Sequence, residues 1–215
     1  MDYELFRQSI QAITPKLSRF FFLPLEMNSF DEGFEKARTW GQEVESSMFL
    51  ATQGINTHKG SIFHFSLYLL ALGSMMSQGL NETKSVFAWM MDWLKPYPKP
   101  TQGIQEAYGA FAEAKQGYPS LQPLLGLSLD NTSQQLEVLG QLILRSKDSV
   151  FLKRAKTEAE VKRIKHQFAT LDWVNPEAIR ALNEECISKG YSFGGAADLL
   201  SLLDLHQQSH RLFFD

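Results

Sequence analysis

From Ile62 to Met76 the chain runs without a single Asp, Glu, Lys or Arg. Large apolar residues occupy every side of a helix drawn through Phe63, Phe65, Leu67, Tyr68, Leu69, Leu70 and Leu72, not one stripe of it. That is the pattern of a helix enclosed by other helices. The run is too short to cross a bilayer and it carries His64, so it reads as a buried core helix.

The segments around it carry helical periodicity, and none alternates as a strand does. Glu4 to Ile13 reads as a first helix, interrupted at Thr14-Pro15, resumed over Lys16 to Phe22 and ended by Leu23-Pro24. Ser29 and Glu32 form a capping-box pattern, after which Phe30, Phe34, Ala37, Gly41, Val44 and Met48 line one face. The central helix spans Ser61 to Ser77, and Glu82 to Leu94 follows it. Pro96, Pro98 and Pro100 enforce an extended connector, the best candidate for a hinge. Gln105 to Gln116 is helical in pattern. Asn131 and Thr132 start the next helix, with Gln135 completing a box to Thr132 ahead of the stripe Leu136, Leu139 and Ile143. Thr157 and Glu160 cap a helix with Val161, Ile164, Phe168 and Leu171 inward. Asn175-Pro176-Glu177 starts another that stops at Gly190. Gly194-Gly195 lead into Leu199 to Leu203. The expected fold is all-α: one globular domain, residues 1–215, of about nine to eleven helices.

With 21 basic against 24 acidic residues the net charge is −3, which argues against a broad nucleic-acid footprint. The one cysteine, Cys186, excludes an internal disulfide and a Cys-rich zinc site, and fits a reducing cytoplasm. The N-terminus has no basic region followed by an apolar run, so no leader and no membrane association are expected.

Chemistry concentrates just ahead of the core helix. Gly54-Ile55-Asn56-Thr57-His58-Lys59-Gly60 places an amide, a hydroxyl, an imidazole, an ammonium and two glycines in seven positions. A helix beginning between Thr57 and Gly60 would turn its first N–H groups toward an anion, with Lys59 adding a full charge. The same residues also serve as a plain polar cap. The loop is not a phosphate loop of the strand–Gly-Lys-Ser type, because Lys59 precedes Gly60 and the preceding run is helical. Glu45 lies upstream on the second helix, near the end that meets this loop.

The stretch Gly54–Gly60 followed by an apolar helix resembles the signature of the triphosphoribosyl-dephospho-coenzyme A synthases. These belong to the citrate lyase and malonate decarboxylase maturation systems. Gly194-Gly195-Ala196-Ala197-Asp198-Leu199-Leu200 is similar to that family's C-terminal Gly-Gly-Ser-Ala-Asp-Leu-Leu. Asp148 to Arg154 resembles its Asp-Thr-Asn…Arg-Gly-Gly segment, with Val150 in place of asparagine and Ala155-Lys156 in place of the glycines. Tyr108 to Ala114 echoes an Ala-Arg-Gly-Glu-Ala segment, with Phe111 for the arginine and Glu113 kept as an exposed helical glutamate. The family's N-terminal Pro-Lys-Pro-Gly-Leu-Val segment has no counterpart ahead of Met1-Asp2-Tyr3.

The resemblance implies transfer of the 5-triphosphoribosyl group of ATP to 3′-dephospho-coenzyme A with release of adenine. The product would be the prosthetic-group precursor of an acyl carrier subunit. It implies ATP and 3′-dephospho-coenzyme A as ligands, Mg²⁺ as cofactor, and carrier-protein maturation enzymes as partners. Glu45, His58 and Asp148 become candidate catalytic residues. Asn56, Thr57, Lys59, Gly60, Arg154, Gly194 and Gly195 become candidate ligand-binding residues, and Glu45, Asp148 and Asp198 candidate Mg²⁺ ligands. The substitutions at Phe111 and Val150, with the absent first segment, motivate the alternative of a shortened, inactive relative that binds ATP or a coenzyme-A-type nucleotide.

Overall fold

The computed structural model describes residues 2–79, 85–97 and 109–213. Among them are ten α-helices, one 3₁₀ turn and no strand, as the periodicity requires. They are α1 (Tyr3–Glu26), α2 (Phe30–Ala51), α3 (Lys59–Ser77), α4 (Val86–Trp93), α5 (Ala110–Lys115), α6 (Thr132–Arg145), α7 (Ser149–Ala155), α8 (Glu158–Ala169), α9 (Pro176–Ser188) and α10 (Gly194–Phe213). The 3₁₀ turn, Gln122–Leu124, lies between α5 and α6. Pro98, Pro100, Glu82 and Gln105 to Tyr108 fall outside the described residues, and with them most of the expected hinge. The chain divides into two compact units: Met1–Lys99 with Ala114–Gly117, and Pro100–Glu113 with Tyr118–Asp215.

In the first unit, α3 packs against α1, α2 and α4. It buries Ile62, His64, Leu67, Tyr68, Leu70, Ala71, Leu72 and Met75 around its circumference, as an enclosed helix should. Its 19 residues make it the one described helix long and apolar enough to cross a membrane, and two-thirds of that window is buried within the protein. The helix is thus longer than the uncharged run suggests, because Lys59, Gly60 and Ser61 form its first turn.

α1 departs from the sequence reading. It is a single 24-residue helix with Pro15 and Pro24 inside it, not two helices. A proline removes one backbone bond and costs roughly 3 kcal/mol in a helix interior. Ile13, Leu17, Phe20 and Leu23 recur on one buried face across both prolines. Burying such side chains is worth about 1.5–3 kcal/mol each, so the tertiary face outweighs the local penalties. Pro15 itself is exposed, where the freed carbonyl can meet water. α1 and α3 approach closely at Gly73: a Cβ built there would lie 2.0 Å from the Phe21 carbonyl oxygen.

α2 starts where expected, with Ser29 Oγ accepting from the Glu32 amide. The Glu32 carboxylate does not close the box on Ser29 but accepts from Asn28 Nδ2. Ala37, Val44 and Met48 are buried, while Phe30 stacks on Trp93 and Phe34 meets Tyr97. Trp93 Nε1 donates to Ser74 Oγ at 3.0 Å, tying α4 to α3.

In the second unit α6 packs on α8 and α10, and α7 on both of those. Asn131, not Thr132, caps α6, and the buried positions are Val138, Leu142 and Ile143 where the sequence suggested Leu136, Leu139 and Ile143. Gly140 admits the Trp173 ring, since a Cβ there would meet it at 2.0 Å. Phe151, Tyr191, Phe193, Phe168 and Trp173 form a run of ring contacts beneath α7 and α8. On the surface Arg163 reaches both Glu160 and Glu185, and Lys189 and Tyr191 join the same carboxylates. The hydrogen bonds to Glu160, led by Arg163, hold its carboxyl well below the usual range, and those to Glu185, led by Gln167 and Arg163, bring it to about 2. Asn175 caps α9 as expected, and Gly190 takes φ +67° just past its end.

Candidate functional site

The loop between α2 and α3 is built by its own residues. The chain leaves α2 through Gln53 (φ +53°) and Gly54 (φ +85°). Buried Thr52 places its hydroxyl between the carbonyls of Met48 and Ile55, at 2.8 and 2.6 Å. That pins the loop's entry and gives Thr52 a structural task. Asn56 Oδ1 accepts from the Lys59 amide at 3.1 Å, so the first N–H of α3 is already used. His58 occupies the N-cap position without a side-chain capping bond, and its amide is directed at Met48 Sδ, 3.2 Å away.

Three candidates gather at this end of α3. Lys59 Nζ lies 2.9 Å from Glu45 Oε2, with the lysine side chain 54% and the glutamate 29% exposed. An ion pair so open to water is worth about 0–1 kcal/mol, so an anion can take Lys59 from Glu45 at small cost. His58 is half-buried, and that burial pulls its imidazole below the ordinary histidine value, so it is neutral at neutral pH. Its Nδ1 lies 2.8 Å from Ser9 Oγ, and Thr57 Oγ1 donates to the same oxygen at 2.7 Å. Ser9, fully buried on α1, is a participant that sequence reasoning missed. No motif marks it; its only signal is a hydroxyl on the otherwise apolar inward face of α1, where Ile13 follows four residues later.

The second unit brings together Asp148 and Gly195, which the sequence placed in separate motifs. Asp148 caps α7: Oδ1 accepts from the Val150 and Phe151 amides at 2.8 and 3.0 Å. Its Oδ2 accepts from the Gly195 amide at 2.9 Å. A Cβ at Gly195 would lie 2.9 Å from that oxygen, so any side chain there would have to displace the Asp148 carboxylate from its amide donors. Gly194 and Gly195 stand inside the first turn of α10, not in a loop ahead of it. Three amide donors fill most of the acceptor capacity of one carboxylate, and Asp148 is thereby a joint between α7 and α10. Lys165 stands near it, donating to the carbonyls of Leu144 and Ser146 at the end of α6. Burial lowers its ammonium's pKa, with the Asp148 charge opposing.

Arg154 is exposed and gives Nη1 to the Gly190 carbonyl at 2.6 Å, leaving the rest of its guanidinium for other acceptors. Asp198 is partly buried just past the first turn of α10. Glu113, read from sequence as an exposed helical glutamate, is instead partly buried and accepts the Ser120 amide at 2.7 Å. Among the described residues no group of three or more His, Cys, Asp or Glu side chains could by itself hold a metal ion. A magnesium site needs less when phosphates complete it: one or two carboxylates and substrate oxygens suffice. Glu45 fits that pattern better than Asp148, whose oxygens are occupied by amides.

Residues 1–96 match the family model of the ATP:dephospho-CoA triphosphoribosyl transferases. The matched segment contains Ser9, Glu45 and the whole of Asn56 to Gly60. A 2-(5''-triphosphoribosyl)-3'-dephosphocoenzyme-A synthase of Haemophilus ducreyi is 27% identical over 94% of this chain and 76% of its own length. The protein of the same name from Pectobacterium atrosepticum is 28% identical over the same shares. A probable synthase of this kind from Lactiplantibacillus plantarum is 26% identical over 79% of this chain and 70% of its own. No solved structure matches the chain.

Proposed function

We propose that this chain, whose residues 1–96 match the ATP:dephospho-CoA triphosphoribosyl transferase model, is a transferase of that family and moves the 5-triphosphoribosyl group of ATP to 3′-dephospho-coenzyme A. The bond between ribose C1′ and the adenine nitrogen breaks, and its electron pair leaves with adenine. A hydroxyl oxygen of the acceptor ribose forms the new bond to C1′. The proton that this hydroxyl gives up balances the one adenine gains. The transition state carries oxocarbenium character at C1′, as in glycoside cleavage generally. The protein's task is to hold two anionic nucleotides in line and to compensate their charge.

The observation that carries this reading is the exposed Lys59–Glu45 pair at the start of α3, within the segment that matches the family. Lys59 and the Gly60 amide would bind triphosphate oxygens. Asn56 keeps the loop closed behind them. Glu45, once Lys59 turns to the ligand, is a free carboxylate beside the triphosphate, suited to Mg²⁺ or to the acceptor hydroxyl's proton. Mg²⁺ bound there would supply charge neutralisation of the triphosphate. Within the second unit, taken by itself, Asp198 and Arg154 are proposed as ligand-binding residues, and Asp148 and Gly195 as the joint that sets α7 on α10. The product would serve as the prosthetic-group precursor of an acyl carrier subunit, with carrier-maturation enzymes as its partners and the cytoplasm as its compartment.

The test is adenine release from ATP and Mg²⁺ with 3′-dephospho-coenzyme A, each omitted in turn and free adenine followed by chromatography. Adenine that depends on both substrates is expected. Lys59→Ala should lower the rate by about 100-fold, the usual effect of removing one charge-stabilising donor, with an unchanged circular dichroism spectrum. A wild-type rate in Lys59→Ala removes the role given to that residue. A second reading, a nucleotide-binding relative without turnover, draws on the engagement of Asp148 with three backbone amides and of Arg154 with Gly190. Saturable ATP binding without adenine release would select it.

A further inference from the structure

The hydrogen bonds around Ser9 have a direction. Thr57 Oγ1 donates to Ser9 Oγ at 2.7 Å, and Ser9 Oγ lies 2.8 Å from His58 Nδ1. A hydroxyl has one proton. Ser9, accepting from Thr57, has its own proton left for Nδ1. A ring nitrogen that accepts is unprotonated, so the neutral imidazole carries its hydrogen on Nε2. That Nε2 has no hydrogen-bond partner among the described residues, and it is not among the buried unpaired atoms. The ring is held in plane by Phe6, edge-on at 5.1 Å, and its backbone by the bend into α3. In that tautomer the ring is a fixed N–H donor, reachable from solvent, one residue before Lys59.

We propose that Ser9, with Thr57 behind it, is a positioning residue that holds His58 as a neutral Nε2–H donor to a phosphate oxygen of the bound nucleotide, and not as the base for the acceptor hydroxyl. The ligand named here rests on the transferase reading; the hydrogen-bond chain does not. For Nε2 to act as a base, Nδ1 would have to take the proton and donate it to Ser9. Ser9 would then turn its own proton onto Thr57, which would lose its acceptor. Among the described residues no charged side chain hydrogen-bonds Ser9 or Thr57 to drive that reversal. Beside Lys59, an N–H donor complements phosphate oxygens, which only accept.

Two measurements test the two halves. Long-range proton–nitrogen correlation on ¹⁵N-labelled protein at neutral pH reads the tautomer directly, with the His58 signals identified by their loss in His58→Gln. A single Nε2–H tautomer is expected in the wild type, and a mixture in Ser9→Ala and in Thr57→Val. An Nδ1–H tautomer or an imidazolium in the wild type overturns the positioning role, whatever the variants do. Calorimetric titration with ATP and Mg²⁺ tests the ligand. His58→Gln keeps an N–H near the Nε2 position and should bind within about threefold of wild type, whereas His58→Ala should lose about tenfold, one charge-assisted hydrogen bond. Equal weakening in both, with adenine release intact in the wild type, overturns the donor role while the transferase reading survives. Failure of the wild type to bind ATP overturns that reading and the ligand named with it, and leaves the Ser9 half to be judged by the tautomer alone.

Discussion

Gly73 offers the sharpest test of the packing that positions the site. A Cβ there would lie 2.0 Å from the Phe21 carbonyl oxygen, 2.9 Å from its carbon and 3.3 Å from its Cα. A carbon and a carbonyl oxygen rest at about 3.3 Å or more, so Gly73→Ala forces α1 and α3 apart by over an ångström. The obstacle is backbone, and no rotamer relieves it. Overpacking of this kind costs roughly 1–3 kcal/mol, and the upper end applies here because two long helices must move. Alanine recovers about 1 kcal/mol of intrinsic helix preference over glycine, which leaves a net loss of about 2 kcal/mol. For a chain of this size that lowers Tm by about 4–8 °C. Gly41→Ala is the internal control: it sits within α2 with nothing inside 4 Å of its Cβ. There the propensity gain stands alone, and Tm should rise by about 2–4 °C. Thermal melts followed by circular dichroism decide the matter. A Gly73→Ala protein as stable as Gly41→Ala would refute the close α1–α3 approach.

Four further outcomes are expected. His64 is fully buried and its imidazole is pushed down to about 3. Between its ordinary value and that value the unfolded chain takes up a proton that the folded one refuses, so stability falls as pH drops, by about 2 kcal/mol from pH 7 to pH 5; in urea titrations that difference should shrink by the same amount in His64→Gln. Asp148→Ala removes the α7 cap and the Gly195 bond together and should cost about 3 kcal/mol. Gly195→Ala should cost about 1–3 kcal/mol in the wild type but little in the Asp148→Ala background, because the clashing oxygen is gone; additive urea midpoints would contradict that contact. Glu45→Gln should leave stability within about 0.5 kcal/mol, since the pair it breaks is exposed, while adenine release falls if Glu45 is the Mg²⁺ or proton-accepting carboxylate.

Much of this protein is local enough to read from order alone. The uncharged run from Ile62 to Met76 determined that α3 is the enclosed helix, because no helix so apolar on all sides is stable in water. Ser29, Thr157 and Asn175 declared helix starts, because a cap is a bond between a side chain and an amide two or three residues on. The chemical density of Asn56 to Gly60 marked the candidate site. What the order could not supply depended on partners distant in the chain. Pro15 and Pro24 are survivable in α1 because Ile13, Leu17, Phe20 and Leu23 find a surface to bury against, a tertiary gain that local rules do not count. Asp148 and Gly195 looked like two motifs with ligands of their own; the fold brings them within hydrogen-bond reach and makes each the other's partner. Ser9 carries no motif at all. Its place opposite Thr57 and His58 is decided by where α1 crosses the start of α3, and hydroxyl and imidazole acquire a proton direction only once that crossing puts them within 3 Å of each other.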